Sequence, residues 1–462
     1  MRMIIAALVA AAVILPAGPL QAQQPLSLRD ALQRAQGGAY ANRISTAQAR
    51  ATATGELAAM RGILPTVRLE AGYARTTDPI GAFGTTLRQR TIEQADFDPQ
   101  RLNYPGVASN YTGAIVVEAP LLNGDAHLGR MAAERAGRAA RASADWTGAN
   151  TKVDVIRAYY GAVLTEEKTR TLEAALKAAQ AHLRQAELML KAGLATRSDA
   201  LLAAVKTGEV ETQLLEAQGE QKIAQQSLAV LLGQPAEAKL ELPSVLPTAE
   251  AVRKVLQQEN DAADLELRSD VIAAREGSRA ARLDVSRATA LYLPRLNAIG
   301  RYDWNSASQL YGGDNNWTVG VMATWTPFAG ASEVAERRAA RARASAAAAG
   351  LEGARAQAEL DLSKSRIQRQ VALSRLEIAE RSAQQSTEAH RIVTSKYKGG
   401  LATVVELLQA AAGETQSQLS FSYARYAGLV VAAEELRARG ADPAIIADLL
   451  PLEMAGATHE GR

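Results

Sequence analysis

Lys191-Ala-Gly-Leu-Ala-Thr-Arg-Ser-Asp-Ala-Leu-Leu-Ala-Ala204 returns later in the chain as Lys398-Gly-Gly-Leu-Ala-Thr-Val-Val-Glu-Leu-Leu-Gln-Ala-Ala411. Superposed, Lys191/Lys398, Gly193/Gly400, Leu194/Leu401, Ala195/Ala402, Thr196/Thr403, Leu201/Leu408, Ala203/Ala410 and Ala204/Ala411 are identical. Each copy lies between two long Ala-rich tracts. The glycine fits the left-handed residue that ends a helix. Thr196 with Asp199, and Thr403 with Glu406, have the Thr-x-x-acid spacing of a capping box that starts the next one. Each stretch therefore predicts the tip of an antiparallel helical hairpin, and its double occurrence predicts a tandem repeat.

Outward from the tips, residues 121–190 and 328–397 contain no proline. Each predicts one helix of about 105 Å at 1.5 Å per residue. Leu172, Leu176, Ala179, Leu183, Ala186 and Leu190 follow the four-three spacing of a left-handed coiled coil. Shorter helices are expected at 27–62, with Ser27 as N-cap, and at 198–232, 264–291 and 404–438. Stacked end to end, 27–62 with 198–232 and 264–291 with 404–438 would each match one long helix. A Pro-bearing segment at 233–261 links the halves and is expected to form a belt around the middle.

Before each long helix the period changes from helical to alternating. Val67, Leu69, Ala71 and Tyr73 alternate with polar Arg68 and Glu70, and Tyr111, Gly113, Ile115, Val117 and Ala119 share one face up to Pro120. A polar loop over 76–110 joins this pair. The second pair has Leu296, Ala298, Tyr302 and Trp304 on one face, then Trp317, Val319, Val321, Ala323 and Trp325, with Pro327 after it. Trp317 and Trp325 are eight residues apart, which at about 3.3 Å per residue and a 40° tilt separates two aromatic girdles by roughly 20 Å, near the apolar band of an outer-membrane barrel. Tyr73, Tyr111, Tyr302, Trp304, Trp317 and Trp325 are the expected membrane girdle.

Composition agrees with an elongated helical protein: Ala-rich, with four Phe and four Trp. Net charge is +3 with signs interspersed, which gives no case for nucleic acid. Residues 1–22 read as a secretory signal, with Arg2, an apolar stretch from Ile4 to Leu15 and a cleavage site at Leu20-Gln21-Ala22. Beyond it no run approaches the roughly 18 apolar residues of a membrane helix, so a membrane role must rest on strands. There is no cysteine; His127, His182, His390 and His459 show no metal-ligand spacing; no phosphate loop, dinucleotide fingerprint or nucleophile elbow is present. No cofactor, metal or catalytic site is expected, and the protein is not read as an enzyme.

The order signal, helix, strand pair, long helix, tip, helix, linker, and the same again resembles the TolC-like outer-membrane efflux protein family. The resemblance rests on Gly-Leu-Ala-Thr at 193–196 and 400–403, Leu64-Pro65 and Leu293-Pro294 before strands, Pro120 and Pro327 after strands, and Leu267-Arg268-Ser269-Asp270. It implies a mainly α fold with a transmembrane β-barrel: a trimeric α/β-barrel tunnel in the outer membrane with a long periplasmic extension. The domains would be a signal (1–22), a first repeat (23–248), a second repeat (249–440) and a C-terminal tail (441–462). The chain departs from the family at Ala402 and Gln409, where members often carry Arg and Asp. Geometry also asks for three copies, since four strands cannot close a barrel and exposed edges are excluded from lipid.

The resemblance implies a passive exit duct for efflux or type I secretion, fed by an inner-membrane pump through a periplasmic adaptor. A periplasmic coiled-coil adaptor or stalk that binds without conducting is the other reading. On the first, Gly193, Leu194, Ala195, Thr196, Gly400, Leu401, Ala402 and Thr403 are expected to dock the adaptor. Asp199, Tyr397 and Glu406 are expected at a periplasmic gate, Asp199 pairing with Tyr397 and Glu406 forming a three-fold carboxylate ring.

Overall fold

The computed structural model describes residues 25–258 and 264–450. The expected signal at 1–22, part of the 233–261 linker and the end of the C-terminal tail lie outside them.

The chain opens on α1 (Leu28–Gly38), capped by the Ser27 hydroxyl, which accepts from the Asp30 amide at 3.1 Å. The single helix predicted over 27–62 is instead divided. Ala39 leaves the helical region (φ −59°, ψ 128°), and α2 (Tyr40–Ala53), α3 (Gly55–Ala59) and a 3-10 turn at Met60–Gly62 follow. The break lies beside a close backbone approach: a Cβ on Gly38 would lie 2.4 Å from the Leu232 carbonyl oxygen, so only glycine fits there.

Strand β1 (Thr66–Thr76) leads into the segment expected to be a loop, which holds α4 (Pro79–Arg88) and α5 (Pro99–Asn103). Both start at Asp-Pro. Asp78 accepts from Gly81 N at 2.6 Å and Asp98 from Gln100 N at 2.9 Å, so prolines suggestive of a loop are here at the first helical position. Strand β2 (Ala108–Leu122) runs past Pro120 rather than ending at it, with a register shift between Pro120 and Leu122 that accommodates a residue lacking an N–H.

The first long helix, α6 (Gly124–Lys191), has 68 residues and returns as α7 (Arg197–Leu231). After the linker helix α8 (Ala249–Gln257) the pattern repeats: α9 (Ser269–Ala290), β3 (Arg295–Ser306), β4 (Asp314–Thr324), the 67-residue α10 (Ser332–Lys398) and α11 (Val404–Ala438). A short α12 (Ile445–Leu449) follows. Among the described residues no helix is long and apolar enough to cross a membrane.

The four strands form one antiparallel sheet in the order β1-β2-β3-β4. The main apolar core lies midway along the helices, where Ile156, Val163, Leu228, Leu376 and Leu429 meet Val252 and Leu256 of α8 and Ile446 of α12. The end-to-end helix junctions are also visible. Gly38, just before α2, meets Gly233 at the end of α7, and Arg268, just before α9, meets the end of α11.

Arg268 is fully buried. Its guanidinium donates to the carbonyls of Ala358 (3.3 Å) and Ala438 (3.1 Å), pairs with Asp270 and Asp361 (2.8 and 3.2 Å), and lies 4.9 Å from the centre of the Trp146 ring. A second buried ionic knot ties the linker to the helices. Glu167 of α6 accepts from the Leu246 amide at 3.0 Å and pairs with Arg425 of α11, which also donates to the Leu246 carbonyl.

Candidate functional site

Two regions carry the predicted functional residues, the sheet at one end and the hairpin tips at the other. In the sheet, register places Leu69, Ile115, Tyr302 and Trp317 in one row and Val67, Val117, Gly300 and Val319 in the next. Leu69, Trp317 and Val319 are more than 70% exposed (76%, 73% and 72%), although they are among the most apolar side chains of the sheet. Tyr73 and Tyr111 pack with ring centroids 4.7 Å apart and planes tilted by 40°. Trp304 is placed differently. Its ring covers Gly113, where a Cβ would come within 2.2 Å of it, and its indole N–H donates to the Leu310 carbonyl at 2.8 Å. Trp325 stands just beyond β4 and donates to the Tyr292 carbonyl at 3.1 Å.

The other face is ionic. Arg301 reaches Glu70 at 2.8 Å and Asp303 at 3.5 Å, and Arg68 reaches Glu70 at 3.4 Å, so these charges bridge three strands over the buried Ala114. Toward the far end the β1–β2 connection folds onto this same face. Gln89 donates to Asn110 (2.9 Å), Asn110 donates to Asn305 (2.8 Å), and Asn316 donates to the Arg88 carbonyl (3.4 Å). Sequence reasoning missed this helical segment; the two Asp-Pro helix starts were the available signal.

At the opposite end the tips have the predicted local chemistry. Gly193 and Gly400 are left-handed (φ 74° and 75°). The Leu194 amide donates back to Met189 at 2.8 Å and that of Leu401 to Lys396 at 2.9 Å, the outer bond of a Schellman cap. Both capping boxes are complete: Asp199 accepts from Thr196 N at 2.9 Å and Glu406 from Thr403 N at 2.7 Å. These bonds to backbone amides, then those to the threonine hydroxyls, hold both carboxyls below the usual carboxylate range. Leu194 and Leu401 project, 78% and 82% exposed.

Behind the tips the two hairpins join through a small apolar cluster of Ala186, Ala203, Tyr397, Val404, Leu407 and Leu408, with Ala402 packed on it. Tyr397 is buried there and its hydroxyl has no hydrogen-bond partner among the described residues. Burial first, then the nearby Asp199 charge, raises its pKa. Asp199 itself spends its hydrogen bonds on Thr196. Among the described residues no group of three His, Cys, Asp or Glu is arranged to hold a metal.

The outer membrane efflux protein family matches residues 40–234 and 262–438. No curated protein matches in sequence. Among solved structures, the outer membrane protein VceC of Vibrio cholerae is 19% identical, with a TM-score of 0.73, covering 90% of this chain and 96% of its own. The CmeC outer membrane channel of Campylobacter jejuni is 15% identical, with a TM-score of 0.76 and coverages of 92% and 90%. The MtrE outer membrane channel of Neisseria gonorrhoeae, in its open state, is 18% identical, with a TM-score of 0.73 and coverages of 90% and 89%. These three share the fold. The two matched stretches span most of the sequence and place the protein in the outer membrane. The chain belongs to the outer membrane efflux protein family.

Proposed function

We propose that three copies of this chain close a twelve-stranded barrel in the outer membrane and continue it as a helical tunnel into the periplasm. The observation that carries the reading is the sheet. It has two open edges, β1 and β4, one exposed apolar face and one ionic face. Open edges are excluded from lipid, and strands that alternate apolar-out and polar-in line a water-filled lumen when they close. Tyr73, Tyr111, Tyr302, Trp304, Trp317 and Trp325 then form the girdle, and Arg68, Glu70, Arg301 and Asp303 line the pore. Mass measurement in detergent tests this directly. A trimer that conducts in planar bilayers is expected; a monomer or dimer ends the tunnel reading.

The duct is passive. Cargo is delivered by an inner-membrane pump through a periplasmic adaptor, which docks on the tips at Gly193–Thr196 and Gly400–Thr403. The exposed leucines and small flanking residues support this, since they allow another helical hairpin close backbone approach. Bulky replacements at Ala195 and Ala402 together are expected to abolish efflux while trimers persist in the membrane; full efflux would count against docking. Asp199, Tyr397 and Glu406 form the periplasmic gate. Tyr397 carries a buried hydroxyl without a partner among the described residues, which leaves it a donor for a neighbouring group when the tips converge.

A further inference from the structure

Between the tip cluster and the middle of the molecule, the two hairpins line a half-open cavity of about 740 Å³. Small residues of α6 (Ala174, Ala178) and α11 (Ala411, Ala412) share its lining with polar and charged side chains, among them Arg170, which donates to the Ser244 carbonyl. His182 of α6 and His390 of α10 stand in its lining, with ring centroids 5.6 Å apart and planes at 76°. Distant in sequence, they come from different hairpins. His182 is 8% exposed, and the Nε2 atoms of both rings are buried with no hydrogen-bond partner among the described residues. His390 Nδ1 is bound to Glu414 of α11. Both histidines have close neighbours in the tip cluster on the same helix faces: Ala186 lies one turn beyond His182, and Tyr397 two turns beyond His390.

We propose that this histidine pair is a proton-operated latch between the hairpins, which pack when His182 is neutral and part towards the tips when it is charged. The charges around it explain the direction. From α10 it faces His390 and Lys398. Glu414 of α11 is already taken by His390. On α7, Lys206 and Glu209 line the cavity and pair with each other at 2.7 Å. At the other end of the cavity Glu167 is held by Arg425. Among the described residues that line the cavity, the three carboxylates, Glu167, Glu209 and Glu414, each already have a partner other than His182. Burial first, then His390 and Lys398, holds its pKa below the ordinary histidine value. Its contribution to the packed seam is therefore complete above the ordinary histidine range and is lost as pH falls through the lowered value. Acidification then acts as a wedge beside the cluster that joins the tips. The inference goes beyond conduction and rests on the duct reading only in taking the tips as the periplasmic end.

The chain contains no cysteine, so labels can be placed cleanly. Spin labels on Leu194→Cys and Leu401→Cys, in labelled copies diluted into unlabelled trimers, report hairpin separation within one protomer. Between about pH 7.5 and 5.5 the parted population should rise, by at most about tenfold per pH unit if one proton is taken up on opening. In His182→Leu the distance distribution should no longer follow pH. If that variant fails to assemble, His182→Phe keeps a flat ring without a titrating group and should behave the same way. Distances that ignore pH in the native chain, or an unchanged pH response in either variant, overturn the latch. A conducting trimer with pH-insensitive tips would do so while leaving the duct reading intact.

Discussion

Gly193 and Gly400 show how much of this protein is decided one residue at a time. A Cβ at either would meet nothing within 4 Å, so glycine is required there by the left-handed backbone and not by crowding. The same local logic gives Thr196 and Thr403 their roles, because a capping box is closed within four residues. Glu406 then has two possible duties, cap and gate ring, and one substitution separates them. Gln also accepts from the Thr403 amide, so Glu406→Gln retains the cap while removing the charges of the proposed gate ring. Single-channel recording should show weaker cation preference and less block by divalent cations; unchanged selectivity would leave Glu406 as a helix cap alone. Because its pKa is lowered by those amide bonds, the carboxylate form supports the cap above the ordinary carboxylate range, and this support is lost as pH falls through the lowered value.

Among elements, the junctions between stacked helices are what the repeat pattern could not specify. At one junction glycines bring two backbones together; at the other Arg268 joins α9 to the carbonyl end of α11 and to Asp361 of α10. Arg268 has no exposed side-chain surface, so its removal leaves two carbonyls and the partly buried Asp270 and Asp361 without their shared cation. Arg268→Met is expected to cost about 3–5 kcal/mol, the usual result of breaking a buried ion pair from one side. Thermal unfolding of the assembled protein should fall accordingly, and a melting point within error of the native chain would show the site to be dispensable. The β1–β2 connection teaches a related point about proline. In Asp78-Pro79 and Asp98-Pro99 it starts helices, and at Pro120 it sits at a strand irregularity.

At the scale of the whole molecule, the sheet has one apolar and one ionic face, and the proposed barrel assigns them to lipid and pore. Exposed Leu69, Trp317 and Val319 cover one face, while the Arg68–Glu70–Arg301–Asp303 network covers the other. In a lipid-facing barrel an arginine at Val319 should cost about 2–4 kcal/mol near the mid-plane, whereas the same change on the pore side at Thr318 should be tolerated. Val319→Arg should therefore reduce heat-resistant trimers in the outer membrane, and Thr318→Arg should leave their amount unchanged while altering conductance. Equal trimer yields from both variants would reverse the assigned faces.

Periodicity made the architecture legible in advance. Helical tracts free of proline, strands alternating in period two, and tips closed by Gly and Thr-x-x-acid are all short-range signals, carried by neighbours in the chain. They determined the two long helices, the strand pairs and the turns between them, with α11 at its predicted limits of 404 and 438. What only the tertiary structure decided depends on groups far apart in sequence. The close approach of Gly38 to the Leu232 carbonyl, the packing of α4 on the sheet through Asn110 and Asn316, and the burial of Tyr397 by the opposing hairpin are contacts of this kind. The meeting of His182 with His390 is of the same kind. Spacing along the chain carries no trace of such contacts, because each is fixed by which helix faces pack together.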